Sequence, residues 1–140
     1  MSGPDFTLES LLAPVALDEF FSDYWEKAPL VIPRQDPARY RKLLELSDID
    51  FILSSAFTAD KADVEALGTA EVHKSLKEIS AARISEFYDA YRRGFTVRVN
   101  RVHLHWKPVS ELCRSLEQSL KLPVRANLYC TPASASRLAS

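Results

Sequence analysis

The sequence is poor in glycine and cysteine, and each shortage excludes a class of site. Three isolated glycines, Gly3, Gly68 and Gly94, cannot form the glycine-rich loop that cradles nucleotide phosphates. Two cysteines, Cys113 and Cys130, are too few for a disulfide framework or a four-sulfur zinc site. Because each falls in a predicted regular element among apolar neighbours, we interpret both as small core residues with inert thiols.

An excess of charge and a long apolar run are also missing. The 140 residues include 18 basic and 19 acidic side chains, so the net charge of −1 gives no reason to expect nucleic acid as a direct partner. No apolar run approaches the roughly 20 residues that a membrane span needs. The N-terminal MSGPDFTLES has neither the basic nor the apolar region of a secretory signal. We therefore expect a cytoplasmic protein with a single modest core and no membrane partner.

Helix signals dominate the first half of the chain. Thr7 could cap a short helix that Pro14 ends, and Asp18 could cap a second helix. Ser47 and Asp50 have the spacing of a capping box and predict a further helix through Leu53.

The segments between and after these helices are less regular. APLVIP (28–33) is a short apolar run between prolines, which predicts a strand, and Pro37 suits the first turn of a helix over 37–45. A strand is expected near Val64–Leu67, with a loop after it. The acidic DKADVE (60–65) is interpreted as a solvated loop.

Periodicity is clearer in the second half. SAARISEFYDAYRRG predicts a helix with one apolar face and Gly94 at the position after its end, and FTVRVN predicts a half-buried strand. Ser110 could cap a helix with Leu112, Leu116 and Leu120 along one stripe. PVRANLYC alternates again, and it predicts a strand with an apolar face (Val124, Ala126, Leu128, Cys130) and a polar face (Arg125, Asn127, Tyr129).

The histidine pair in VHLHW is the strongest candidate for metal chemistry. On a strand, His103 and His105 would point the same way, as two ligands of one metal could. A usable site needs a third ligand, but His73 lies in the least regular region and Glu111 lies beyond the break at Pro108. We therefore interpret the pair as a turn or surface pair, and we assign no metal ligand and no catalytic residue.

Three segments resemble the JmjC/cupin-type oxygenases that hydroxylate ribosomal proteins. FFSDYWEKAPLVIPR (20–34) is similar to the family's helix that ends in Tyr-Trp-Glu-Lys and runs into Pro-Leu-Val-Ile, and DIDFILS (48–54) is similar to its next helix. Residues 90–132 resemble the part of the family in which a glycine is followed by a strand, a Trp-Pro motif, a helix and a second strand. The specific signal is Tyr-Trp-Glu-Lys-x-Pro-Leu combined with Asn-x-Tyr-x-Thr-Pro, and the resemblance covers most of residues 15–132.

The resemblance implies an α+β fold, in which a helical N-terminal region leads into the first strands of a truncated cupin/JmjC jelly roll, also called a double-stranded β-helix. On this basis residues 1–93 are the mainly helical region, and residues 94–132 are the first strand, helix and strand of the jelly roll. Residues 133–140 are expected to be an irregular tail.

In this family the resemblance implies Fe(II) and 2-oxoglutarate as cofactors and a ribosomal protein as substrate, hydroxylated on histidine or arginine. The iron ligands are a His-x-Asp pair, about a dozen residues after the Asn-x-Tyr strand, and a second histidine. That position lies beyond residue 140. We therefore expect an N-terminal fragment that is inactive alone, holds no iron, and without iron binds 2-oxoglutarate weakly or not at all. The alternative is a non-catalytic remnant that binds a protein partner through its helical N-terminal face.

Two site residues carry over from the resemblance. Tyr129 matches the family tyrosine whose hydroxyl is available to the 2-oxoglutarate carboxylate. Asn127 lies two residues back on the same face of the strand and matches an asparagine that lines the same cavity. The alternative interpretation is that both are ordinary polar residues of a half-buried strand.

Overall fold

A computed structural model describes residues 6–60, 63–68 and 84–133. These residues form helices and one small sheet, which confirms the predicted α+β class. The helices are α1 (Leu8–Leu12), α2 (Leu17–Glu19), α3 (Ile49–Ala59), α4 (Ile84–Arg92) and α5 (Lys107–Leu120). The strands are β1 (Val64–Leu67), β2 (Thr96–Val99) and β3 (Leu128–Cys130).

The sheet has the order β1-β2-β3, and both strand pairs are antiparallel. In the central strand, Val99 lies opposite Val64 of β1 and Leu128 of β3. Successive side chains of a strand point to opposite faces, so the valines share one face and the intervening polar residues share the other. The strand predicted over FTVRVN is confirmed at Thr96–Val99, whereas the strand predicted over PVRANLYC forms only at Leu128–Cys130. The expected strand at Val64–Leu67 joins them in one sheet.

The core lies between the apolar face of the sheet and helices α3, α4 and α5. The three helices and the sheet contribute a shared set of buried apolar side chains, which includes Ile52, Leu53, Ala56, Val64, Ala66, Phe87, Ala90, Val97, Val99, Val109 and Cys113. Phe87 is 1% exposed, and its ring meets Phe57 edge-on with 5.9 Å between the centroids. Burial against the sheet, rather than helix propensity, therefore fixes these helices in place.

Two of the predicted helix ends are confirmed. Thr7 caps α1, since its side-chain oxygen accepts a hydrogen bond of 3.1 Å from the backbone N–H of Ser10. At the end of α4, Gly94 has a φ of 99°, which lies in the left-handed region where a Cβ atom is unfavourable. These positions have a strong local signal, because the chemistry of the cap lies within the turn itself.

Three predicted caps are wrong. Asp18 lies inside α2, which follows Ala16 without a side-chain cap and continues as a π turn over Phe20–Tyr24. The capping box before α3 is formed by Glu45 and Asp48, which open a short 3-10 turn over Leu46–Asp48, and not by Ser47 and Asp50.

Ser110 also lies inside a helix, because α5 begins earlier than predicted. The helix starts at Lys107, directly after Trp106, and Pro108 occupies its first turn. Proline suits that place because its fixed φ is helical and its missing N–H would have no partner there. The buried face of α5 is formed by Val109 and Cys113, while the predicted leucine stripe is only half-buried.

The two proline-bounded segments also differ from their predictions. Residues 28–33 form no strand, and Val31 in their middle is 80% exposed. Residues 37–43 form consecutive turns rather than a helix. The physical reason is tertiary: Arg34 and Arg39 each donate a hydrogen bond of 2.6 Å to a carbonyl oxygen of α1, and these contacts hold the segment along that helix. The loop predicted after β1, the predicted helix start at 80–83 and residues 134–140 lie outside the described residues.

We expect Phe87→Ala to lower the free energy of unfolding by about 3–5 kcal/mol, because it removes a fully buried aromatic ring from the centre of the core. Phe51→Ala is the matched control on α3, since Phe51 is 63% exposed, and it should cost about 1 kcal/mol or less. Urea unfolding followed by circular dichroism measures both. Equal losses would contradict the assignment of Phe87 to the core.

Candidate functional site

The face of the sheet opposite the core carries polar side chains on all three strands. We call it the polar face, and it consists of Glu65, Thr96, Arg98, Asn100, Asn127, Tyr129 and Thr131. Hydrogen bonds cross it between strands: the hydroxyl oxygens of Thr96 and Thr131 are 3.0 Å apart, and the Asn100 amide donates to Glu65 over 3.3 Å. Asn127, Tyr129 and Thr131 are exposed, so this face is open on the β3 side.

A charged row runs across the middle of the polar face. Arg98 lies opposite Glu65 on one side and Tyr129 on the other, and its guanidinium donates to the Glu65 carboxylate. That hydrogen bond raises the pKa of Arg98, and a hydrogen bond with Tyr129 acts in the same direction. A guanidinium can only donate, so towards Arg98 the Tyr129 oxygen can act only as an acceptor, which would leave its own O–H hydrogen to a ligand. Tyr129 is 54% exposed.

Asn127 is fixed by the turn that follows β2. Its side-chain oxygen accepts a hydrogen bond of 3.0 Å from the backbone N–H of Arg101. The residue before it is bound to the same turn, because the Val102 N–H donates to the carbonyl of Ala126 over 2.9 Å. Asn127 and Tyr129 share the exposed polar side of the segment, as predicted, while their role as cofactor ligands stays a prediction.

The turn that binds Asn127 has a strained start. Arg101 has a φ of 52°, and a residue with a Cβ atom held in this region costs about 1 kcal/mol. The following residues form a 3-10 turn over Val102–Leu104, so the two histidines do not lie on a strand. The expectation of a turn is confirmed, but the alternative of a surface pair is wrong for His105, whose side chain is 7% exposed.

In each histidine of the pair, one ring nitrogen forms a hydrogen bond with another residue of the chain. The Nδ1 atom of His103 accepts a hydrogen bond of 3.2 Å from the Ala126 N–H. The Nε2 atom of His105 lies 2.9 Å from the Asp63 carboxylate and carries the hydrogen of that bond, since an ionised carboxylate only accepts. The described ranges contain no group of three or more His, Cys, Asp or Glu side chains that could hold a metal ion.

Asp63 is the buried charge that organises this turn. Its side chain is 5% exposed, and its two oxygens bind the two ends of the turn. One oxygen accepts from the Nε and Nη2 atoms of Arg101 over 3.0 and 2.8 Å, and the other binds His105. Burial alone would raise the pKa of the Asp63 carboxyl, but hydrogen bonds and positive charge from His105 and Arg101 outweigh it, so the pKa is lowered.

The sequence gives little sign of this cluster. The prediction of a solvated loop at DKADVE is wrong for Asp63, which is 4% exposed. Its partners lie 38 and 42 positions further along the chain, at Arg101 and His105. The local pattern around an aspartate cannot show such partners, because they meet only when β1 pairs with β2.

A second candidate site lies on the opposite side of the sheet. A cavity of about 200 Å³ opens between α3 and α4, above Val97 and Cys130, and it is mostly apolar. The Tyr88 hydroxyl in its wall donates a hydrogen bond of 2.7 Å to Asp50, and burial, followed by that carboxylate, raises the pKa of Tyr88 to about 12. Among the described residues that line the cavity there is no Lys or Arg to bind a carboxylate ligand.

One of the two cysteines lies in the core and the other lies at the wall of the cavity. Cys113 is buried in the core, as predicted, and Cys130 is half-buried at the cavity wall. Burial raises the pKa of both thiols. A raised pKa favours the neutral thiol over the nucleophilic thiolate, which supports the interpretation of both cysteines as inert.

Asp63→Asn should destabilise the protein at neutral pH by about 1–3 kcal/mol, because it removes the charged acceptor that Arg101 and His105 share. The folded-state pKa of Asp63 is lowered, so its contribution is present above the unfolded pKa of about 4 and is lost as the pH falls through the folded value. Urea unfolding measures the free energy of unfolding of both proteins at pH 7 and at pH 3. The difference in this free energy between variant and wild type should therefore be smaller at pH 3. A difference that is equal at both pH values would contradict the ion-pair role.

Curated proteins similar to this chain share one kind of name. A Drosophila erecta protein named bifunctional lysine-specific demethylase and histidyl-hydroxylase NO66 is 29% identical over 127 residues, which are 89% of this chain and 19% of that protein. Ribosomal oxygenase 1 of Gallus gallus is 29% identical over 123 residues, 87% of this chain and 20% of its own length. A Branchiostoma floridae protein with the NO66 name is 29% identical over 133 residues, 89% of this chain and 21% of its own length.

The matches extend over most of this chain but over little of each relative. The chain spans about a fifth of the length of the curated relatives that it matches. A scan against protein-family models finds none that matches. Among the residues that the structure describes, no helix is long and apolar enough to cross a membrane. The identities of 29% over nearly nine-tenths of the chain support a family relationship between this chain and the JmjC-type ribosomal oxygenases.

Proposed function

We propose that this chain is the N-terminal part of a JmjC/cupin-like protein hydroxylase that depends on Fe(II) and 2-oxoglutarate, and that the chain alone is inactive. In this proposal Asn127 and Tyr129 line the 2-oxoglutarate cavity. The observation that carries the proposal is the polar face, on which both residues present hydrogen-bond donors from one open side of an antiparallel sheet.

The two faces of the sheet support a jelly-roll origin. In a jelly roll two sheets face each other and enclose the site between them. Here helices α3, α4 and α5 pack on the apolar face, and the polar face remains open on the β3 side. The polar face would then be the inner wall of the barrel. In the proposed division, β2, α5 and β3 belong to residues 94–132, and β1 joins their sheet from the mainly helical region 1–93.

The donors of the polar face fit a carboxylate. The oxygen of the Asn127 carboxamide is occupied by the Arg101 N–H, so the amide group is left to donate. Tyr129 lies opposite Arg98 in the sheet and can donate its own O–H. Two neutral donors beside a guanidinium match a ligand that has only acceptors at its end, and each carboxylate of 2-oxoglutarate is such a group.

The described residues fit a carboxylate, but they do not form a site for iron. No cluster of three metal-binding side chains occurs in these ranges, and the sequence contains no His-x-Asp or His-x-Glu pair. We therefore assign no catalytic step to this chain. Its own residues bind and orient the carboxylate, and the role proposed for them ends there.

The names of the relatives support the substrate class. One of these proteins is named a ribosomal oxygenase and others are named histidyl-hydroxylases, so we propose a histidine or arginine side chain of a ribosomal protein as the target in the intact enzyme. We propose a cytoplasmic location and no direct contact with nucleic acid or a membrane.

A second candidate is a non-catalytic interaction protein that binds a partner through its helical side. The observation that favours it is an exposed apolar rim beside the cavity, where Leu46 is 88% exposed and Tyr91 is 38% exposed. This candidate predicts that Leu46→Ser weakens the capture of a protein partner, whereas the hydroxylase proposal predicts that the polar face responds to 2-oxoglutarate.

The purified chain should produce no succinate above background when it is incubated with Fe(II), 2-oxoglutarate and a ribosomal-protein peptide, because the proposal assigns no iron ligand to this chain. Ribosomal oxygenase 1 of Gallus gallus is the positive control. Iron-dependent succinate production by the chain itself would contradict the proposal of inactivity.

The chain should nevertheless bind 2-oxoglutarate weakly, at millimolar concentrations, and the bound ligand should shift the nuclear magnetic resonances of the Asn127 side-chain amide. Tyr129→Phe should weaken this binding roughly tenfold, since a hydrogen bond to a charged group contributes about 1.5–3 kcal/mol. Tyr91→Phe is the matched control on the cavity side, and it should leave binding unchanged. Equal affinities for Tyr129→Phe and wild type would remove Tyr129 from the site.

A further inference from the structure

We propose that Asp63 is a positioning residue that acts through Arg101 to hold the Asn127 carboxamide with its amide group, rather than its oxygen, available to a ligand. The inference rests on the proposed function in one respect, which is that Asn127 faces 2-oxoglutarate. The three residues form one chain of hydrogen bonds that runs from the start of β1, through the turn after β2, to the start of β3.

The first link is the clamp that Asp63 makes across the turn. One carboxylate oxygen binds Arg101 through two nitrogens, and the other binds His105 four residues later. The backbone of Asp63 is also fixed, since its carbonyl accepts a hydrogen bond of 2.7 Å from the N–H of Asn100. The carboxylate therefore holds both ends of the turn at a fixed distance from β1.

The second link is the backbone of Arg101. Its left-handed conformation, with a φ of 52°, is unfavourable for a residue with a Cβ atom and persists only where contacts hold it. The side chain of Arg101 is anchored by Asp63 and also lies 3.2 Å from a carboxylate oxygen of Asp60. These contacts favour the conformation in which the N–H of Arg101 points at β3.

The third link sets the polarity of Asn127. A carboxamide has one end that accepts and one end that donates, and an N–H group can be met only by the end that accepts. Because the Arg101 N–H occupies the oxygen over 3.0 Å, the amide group is left for a ligand. The neighbouring Ala126 is held by Val102 and His103 through its carbonyl and its N–H, so the backbone beside Asn127 is fixed independently of Asp63.

The orientation of the Asn127 carboxamide determines which ligands it can bind. With its amide group free, Asn127 favours ligands that only accept hydrogen bonds, such as a carboxylate. If the Arg101 N–H turned away, the carboxamide could rotate and present its oxygen, and this oxygen would repel a carboxylate. Asp63 would thus influence ligand binding without contacting the ligand.

The test is nuclear magnetic resonance of the ¹⁵N-labelled full chain and of Asp63→Asn. The hydrogen-exchange protection of the Arg101 amide should fall at least tenfold in the variant, and the Asn127 side-chain amide resonances should move. The amides of Val97 and Val99, inside β2, should keep their protection. Unchanged Arg101 protection, or a uniform loss across β2, would overturn the proposal.

Two further variants keep the test decisive. Asp60→Asn is the matched control, because Asp60 binds the same guanidinium from a half-exposed position, and Arg101 protection should change less than threefold. Arg101→Lys keeps the positive charge but loses the two-nitrogen contact with Asp63, so the amide at position 101 should lose protection in the same direction. If Asp63→Asn does not fold, the lysine variant decides the outcome, and full protection in it would overturn the proposal.

A titration with 2-oxoglutarate separates this inference from the proposed function. In Asp63→Asn the response of the Asn127 amide should fall at least threefold, while Tyr129 still responds. Equal responses at Asn127 in variant and wild type would overturn the positioning role. No response in the wild type, together with loss of Arg101 protection in the variant, would reject the 2-oxoglutarate site and retain Asp63 as the residue that orients Asn127.

Discussion

A buried carboxylate with two cationic or donating partners holds the polar part of this structure together. Asp63 is almost fully enclosed, and burial of an unpaired charge would cost several kcal/mol. Arg101 and His105 remove that penalty, and their contacts lower the pKa of Asp63 in spite of its burial. The same contacts close the turn after β2, to which the segment before β3 is hydrogen-bonded. The charge cluster at the start of β1 is therefore connected, through the turn, to the Asn127 side chain directly before β3.

The sheet separates two kinds of chemistry. Its apolar face is covered by α3, α4 and α5, and it supplies most of the burial that stabilises the chain. Its polar face carries a cross-strand network in which Arg98 is fixed by Glu65 and lies opposite Tyr129. Strands whose apolar face is packed against helices are suitable supports for a binding site, because they hold the polar groups of the other face in place at little further cost in conformational entropy. The cavity between α3 and α4 lies on the other side and has a different, apolar character.

Much of the fold could be predicted from the sequence where the signal is local. Alternation predicted β2 and the exposed side of Asn127 and Tyr129, and glycine predicted the end of α4. Predictions failed where a contact distant in sequence decided the outcome. The segments at 28–33 and 37–45 have strand and helix signals, but arginine side chains bound to α1 hold part of this region in turns. For the site, the resemblance supplied two surface residues, while the buried cluster behind them has no local signature.

The sequence by itself determined the periodic elements, the two faces of the sheet and the family relationship, because each of these is encoded in residues close together along the chain. Only the tertiary structure decided what the polar residues do to one another. Asp63 and His105 are 42 positions apart, and their spacing along the chain says nothing about a distance of 2.9 Å. The pairing of β1 with β2 brings them together, and the resulting loss of water changes an apparently solvated aspartate into the buried ion that fixes the turn beside Asn127.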